Sequence, residues 1–139
     1  MPGTETAHPS AGGSKSAAIS NMTVRLLSQY TGRGPTKAHT FINDDMVTVV
    51  LQDTLTKAER TLVDKDRGNL VLLTRSTFQD VMGDDLTAGI EEILGRKVIA
   101  FLSANHIDPD IAVETFILAP SIEASSDHDA DAVRAAPAA

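Results

Sequence analysis

The 139-residue chain has no cysteine and no tryptophan, a single tyrosine, Tyr30, and four phenylalanines. Without cysteine, disulfides, thiolate zinc sites, iron–sulfur clusters and cysteine nucleophiles are all excluded. So few aromatic rings offer no stacking platform for nucleic-acid bases. No apolar run approaches the roughly 20 residues of a membrane-crossing helix, and Met1 to Gly13 lacks a basic start followed by an apolar stretch. A cytoplasmic protein with no direct membrane insertion is therefore expected, possible only as a peripheral visitor to the inner face of a membrane. A basic stripe is also missing: net charge is −7, and an acidic surface argues against nucleic acid as a partner, because neutralising phosphates requires clustered lysine and arginine.

What the chain does have is 42% hydrophobic residues, enough for one core without a metal or a covalent staple. Residues 1 to 15 and 120 to 139 are too poor in large apolar side chains to offset chain entropy, the second stretch being acidic as well, so both read as disordered tails around a domain spanning 16 to 119. Within the domain, Ser14 or Ser16 is placed to cap a helix whose apolar positions Ile19, Met22, Leu26, Leu27 and Tyr30 recur at helical spacing, and Gly32 is placed to end it. Thr36 to Ile42 and Met46 to Leu51 read as strands joined at Asn43, Asp44 and Asp45, residues that tolerate positive φ. Both faces of the second strand are fairly apolar, which predicts a central place in the sheet.

Thr56, Lys57, Ala58, Glu59 is a capping box, the most specific local signal in the chain. The helix it starts carries Leu62, Val63, Leu70, Leu73, Phe78, Val81 and Met82, and the spacing predicts a break near Gly83, Asp84 and Asp85, because an unbroken rod to Leu94 would be about 57 Å long at 1.5 Å per residue. Gly95 is a helix stop, Lys97 to Ala104 and Ile111 to Leu118 form a second hairpin, and Pro120 ends it. The expected fold class is α+β: helix, β-hairpin, broken helix, β-hairpin, giving a four-stranded antiparallel sheet with helices on one face. Such a sheet leaves its opposite face or an edge to be covered, so a homodimer is expected.

Few residues suggest chemistry. His39, His106, Asp108 and Asp110 are the candidate metal ligands, on the premise that the two hairpins bring imidazoles and carboxylates together. Asp, Asn and Pro are equally what a turn between strands demands, and turn chemistry is the preferred account. Arg33 and Lys37 at the corner Gly32, Arg33, Gly34, Pro35, Thr36, Lys37, together with His39, are the candidate ligand-binding residues. That corner lacks the phosphate-loop pattern and follows the C-terminal end of a helix, where the dipole disfavours anions. Ser103 with His106 lacks the GxSxG elbow of a hydrolase. No catalytic residues and no cofactor are assigned, and the chain is expected not to be an enzyme.

Read in order, the chain shows Ala18, Ile19, Ser20 and Asn21, then Gly32, Arg33, Gly34 and Pro35, then Asp44 and Asp45, then Leu55, Thr56, Ala58, Glu59 and Leu62, then Leu94 to Val98, and last Ser103, His106, Asp108, Pro109 and Asp110. In this order and spacing the stretch Ala17 to Pro120 resembles the MpsC-like domain, a bacterial family formerly of unknown function and named after the third component of a sodium-translocating, membrane-potential-generating system. The resemblance implies an association with cation and inorganic-carbon (bicarbonate) handling, in which a small accessory or regulatory protein acts by protein–protein interaction on an integral-membrane transporter component. A small-ligand or metal-ion sensing module is the alternative.

Overall fold

The computed structural model describes residues 11–121. Its elements, in chain order, are α1 (Ala11–Thr31), β1 (Lys37–Asn43), β2 (Met46–Gln52), α2 (Lys57–Asp64), α3 (Gly68–Leu94), β3 (Val98–His106) and β4 (Ile111–Leu118). The strands form one antiparallel sheet in the order β1-β2-β4-β3, so β2 and β4 are central and β1 and β3 are the edges. This is the expected α+β arrangement.

Period-two alternation decides which face is dry. Val47, Val49 and Leu51 on β2 and Ala112, Glu114, Phe116 and Leu118 on β4 are buried, and α1 and α3 cover them with Ile19, Met22, Leu27, Met82, Leu86 and Ile90. Phe101 stacks on Phe116 with ring centroids 5.0 Å apart, extending the core to the β3 edge. The helices are held to each other and to the sheet by polar contacts at their margins. Tyr30 Oη donates to Asp85 across 2.6 Å, joining α1 to α3, and Ser20 and Thr40 hydroxyls meet at 2.8 Å, joining α1 to β1. Lys15 Nζ donates to the carbonyl of Ile93 in the last turn of α3, where the helix dipole favours a cation.

Three expectations are corrected. The rod after the capping box breaks, but at residues 65–67 and not at Gly83: Asp66 takes φ 66° there, and α3 then runs unbroken for 27 residues, Gly83 included. Gly83 lies inside that helix beside Phe101, where a Cβ would stand 3.4 Å from the ring, an ordinary contact distance. Gly68 is the first residue of α3, facing Ile107. Neither Ser14 nor Ser16 caps α1, which already runs through both from Ala11, so part of the expected N-terminal tail is helical. The rest of that tail, and nearly all of the C-terminal one, lie outside the described residues.

Gly32 (φ 81°) and Gly95 (φ 66°) both adopt the left-handed conformation after helices, as expected of helix stops. At the end of the sheet where Gly95 lies, Arg96 donates to Asp45 Oδ1 at 2.6 Å, to the Asp44 carbonyl at 3.0 Å and to the Ala119 carbonyl at 2.7 Å. One side chain thus ties the β1–β2 turn to the end of β4.

Candidate functional site

The polar side chains concentrate at the opposite end of the sheet, where the α1–β1 corner, the β2–α2 link and the β3–β4 turn meet. Asp53 leaves β2 with φ 59° and its amide donates to the Asp110 carbonyl at 3.1 Å, bringing the two loops together. Its carboxylate pairs with Arg33 at 2.7 Å and with Arg60 at 2.9 Å. The hydrogen bond from Arg33 holds the Asp53 carboxyl below the usual carboxylate range, against the opposing effect of desolvation. Arg60 also reaches Asp110 at 3.2 Å. The Asp110 carboxylate accepts further bonds from Thr54 Oγ1 and the Leu55 amide, both at 2.9 Å, so it braces the start of the β2–α2 link.

A second layer lies beneath. The capping box forms as expected: Thr56 Oγ1 accepts from the Glu59 amide at 3.1 Å and Glu59 Oε1 accepts from the Thr56 amide at 2.8 Å. Arg75, a buried arginine on α3, grips the same glutamate bidentately at 2.6 and 3.1 Å and donates to Thr54 Oγ1 and the Thr54 carbonyl. Burial alone would raise the Glu59 pKa; Arg75 and the Thr56 bonds overcome it and lower it. The three arginines and three carboxylates of this clasp are therefore engaged with one another. Arg33 Nε is the one buried side-chain polar atom among the described residues with no hydrogen-bond partner.

One helical turn along α3 from Arg75, Gln79 donates to Glu114 Oε2 at 3.0 Å, while Ser103 Oγ approaches Glu114 Oε1 at 2.5 Å. Gln79 and Asn105 exchange amide hydrogen bonds at 2.8 and 3.2 Å. Glu114 is wholly buried, and burial pushes its carboxyl up to about 7, although Ser103, Gln79 and the nearby charge of Arg75 favour the ionised form. The neighbouring cavity, lined by Leu27, Thr31, Glu59, Arg75, Phe78, Gln79 and Met82, measures about 10 Å³. That is about the space of a single water probe, while open hollows of about 280 Å³ beside Arg60 and Asp108 and of about 270 Å³ beside Thr56 and Glu59 flank the clasp.

The sequence-derived candidates are dispersed. Arg33 and Asp110 belong to the clasp. Lys37 and His39 point outward from β1 beside Phe41, whose ring centroid is 4.4 Å from that of His39. His106 ends β3 at the other edge, with Nδ1 2.8 Å from the Pro109 carbonyl; because a carbonyl only accepts, Nδ1 carries the proton. Asp108 is exposed in the turn. The premise that the two hairpins bring His39 and His106 together is corrected by the strand order: they stand on opposite edges, three strand spacings or about 14 Å apart. No group of three or more His, Asp or Glu among the described residues is arranged to hold a metal ion.

Sequence reasoning overlooked Arg60, Arg75, Gln79, Asp53 and Glu114. The signal for three of them was positional. Arg75 and Gln79 continue the buried stripe of Val71, Met82, Leu86 and Ile90 at helical spacing, and Glu114 alternates in step with Ala112, Phe116 and Leu118. Arg60 and Asp53 carry no such mark.

Among the described residues, no helix is long and apolar enough to cross a membrane. No solved structure matches the chain. It is 26% identical over 101 residues to a Bacillus subtilis (strain 168) protein named "Uncharacterized protein YrhF", a match covering 71% of this chain and 83% of that one. The family model described as "Na+-translocating membrane potential-generating system (MpsC)" matches residues 12–120, which is the whole folded unit from α1 to the end of β4. The chain therefore belongs to the MpsC family, associated with a sodium-translocating, membrane-potential-generating system.

Proposed function

We propose that the chain is a non-catalytic accessory or regulatory protein of a sodium-translocating, membrane-potential-generating system. It acts as a homodimer from the cytoplasmic side, by protein–protein contact with an integral-membrane cation or inorganic-carbon transporter component. The observation that carries this is the closure of the clasp. Its guanidinium and carboxylate groups bond each other, and Asp110 and Glu59 brace backbone amides. Groups so engaged organise a scaffold. Large apolar side chains meanwhile stand at the surface, Phe41, Leu102, Leu73 and Val81 among them, each more than half exposed, as a protein working through contact surfaces requires.

Affinity capture from detergent-solubilised membranes, with the full chain as bait, tests the proposal. A cation or inorganic-carbon transport component is expected to co-purify under native conditions. Recovery of no membrane protein contradicts the proposal.

A further inference from the structure

Helices cover one face of the sheet and leave the other bare. At the centre of the bare face stand Thr48 and Val50 of β2 and Thr115 and Val113 of β4, with the two threonine hydroxyls 3.3 Å apart. These small β-branched side chains are flanked by larger ones on the edge strands: Phe41 of β1 is 53% exposed and Leu102 of β3 is 55% exposed. The cross-strand register puts Phe41, Thr48, Thr115 and Leu102 in a single row. The face is thus a shallow trough along the central strands, with an apolar ridge on either side. Met46 at one end is 47% exposed, and Ile99, at the bulge in β3, is 60% exposed.

Charge separates this face from the rest of the molecule. The chain carries 19 acidic residues, yet no carboxylate occupies an outward position on any of the four strands; Glu114, the acidic residue of β4, points into the core. Lys37, at one corner, is the sole lysine or arginine there. For a molecule of net charge −7 this is the surface on which two copies approach with the least like-charge repulsion.

The remaining sequence does not suit the trough. Residues 122–139, which follow β4, contain Glu123, Asp127, Asp129 and Asp131, with Ile122 and Val133 as their branched apolar side chains, and residues 1–10 have Met1 as their one large apolar side chain. Four strands about 4.8 Å apart and seven residues long at about 3.4 Å each present roughly 450 Å² in projection. With the corrugation of side chains, pairing two copies removes on the order of 1,200 Å², which reaches the range of stable interfaces.

We propose that the bare sheet face is the interface of a two-fold homodimer, in which the Thr48–Thr115 pair lies near the axis and Phe41 and Leu102 of each copy pack over the trough of the other. The interface is isologous, the two-fold axis lying in the plane between the sheets. This assignment rests on the homodimer proposed above and is independent of which membrane component the dimer contacts.

Light scattering after size exclusion, on the full chain from low micromolar to millimolar concentration, tests it. The wild type is expected at twice the chain mass. Thr115→Lys and Leu102→Glu are expected at the monomer mass, with the far-UV circular dichroism of the wild type and dimer dissociation constants raised by roughly a hundredfold or more. Leu73→Glu, on the exposed side of α3, is expected to remain dimeric. Should a charged variant unfold, the double variant Phe41→Ser, Leu102→Thr must dissociate while still folded. A wild-type monomer, a dimer that survives the folded face variants, or a monomer produced by Leu73→Glu alone overturns the assignment. A wild-type monomer that still captures a membrane component overturns this interface and leaves the accessory role standing.

Discussion

The side-chain amide of Gln79 on α3 donates across 3.0 Å to the carboxyl of Glu114 on β4, in the buried interior between helix and sheet. Arg75, the nearby cation, is bonded to Glu59 and Thr54, so Glu114 has no direct ion pair. With its folded pKa raised from 4.5 to about 7, this group stabilises the fold fully below pH 4.5 and loses that contribution as pH rises through about 7. The loss amounts to roughly 3 kcal/mol. Urea titrations at pH 5 and pH 8.5 check it: wild type loses most of this contribution across the interval, while Glu114→Gln is expected to lack that component of the loss and to exceed wild type at the higher pH. Asp53 and Glu59, whose pKa values are lowered, act in the opposite sense. Their contribution is present above the ordinary carboxylate range and disappears as pH falls below it.

Arg75 joins α3 to the capping box through Glu59 and to the β2–α2 link through Thr54. Arg75→Ala leaves a half-buried carboxylate without its cation, and a loss of about 3–5 kcal/mol is expected by denaturant unfolding. Arg75→Met combined with Glu59→Gln removes both charges together and is expected to recover much of that loss. A double variant no more stable than Arg75→Ala contradicts the assignment.

Two glycines of α3 should respond to alanine in opposite directions. A Cβ at Gly83 meets the Phe101 ring at 3.4 Å, an ordinary contact, so Gly83→Ala gains helix propensity and raises stability by about 0.5–1 kcal/mol. At Gly89 the added atom falls 2.7 Å from Met22 Sδ and 2.8 Å from Met22 Cε, within the α1–α3 contact. Crowding of this buried methionine outweighs the propensity gain, and Gly89→Ala is expected to cost about 1 kcal/mol. Thermal unfolding of the two variants decides the matter.

Asp110→Ala removes the acceptor for Thr54 Oγ1, the Leu55 amide and Arg60 at once. A loss of about 2–3 kcal/mol is expected, accompanied by faster hydrogen exchange at the Leu55 amide. Unchanged exchange at Leu55 would show that the carboxylate does not brace the link.

The elements that announce themselves locally were legible: the capping box at Thr56 and Glu59, the helix stops at Gly32 and Gly95, and both hairpins, whose period-two patterns also mark the buried face. Strand order was not. Alternation says which way a side chain points but not which strand lies alongside, and so His39 and His106, which adjacent hairpins would bring together, lie at opposite edges. The helix break was expected at Gly83, Asp84 and Asp85 because an unbroken rod from the capping box would be too long, whereas Asp66 takes the left-handed turn and Gly83 stays inside α3. The clasp was visible only in fragments. Arg33, Glu59 and Asp110 stand far apart along the chain and share a site because three loops converge at one end of the sheet.

The central claim is that the charged groups of the clasp hold the fold together while contact surfaces elsewhere do the work. Its most direct test is affinity capture from solubilised membranes, comparing wild type with Arg60→Gln, a substitution at a half-exposed arginine that leaves Asp53 its bond to Arg33. The account predicts that both baits recover the same cation or inorganic-carbon transport component to the same extent. Failure of the wild type to recover any membrane protein, or loss of capture by a fully folded Arg60→Gln, would contradict it.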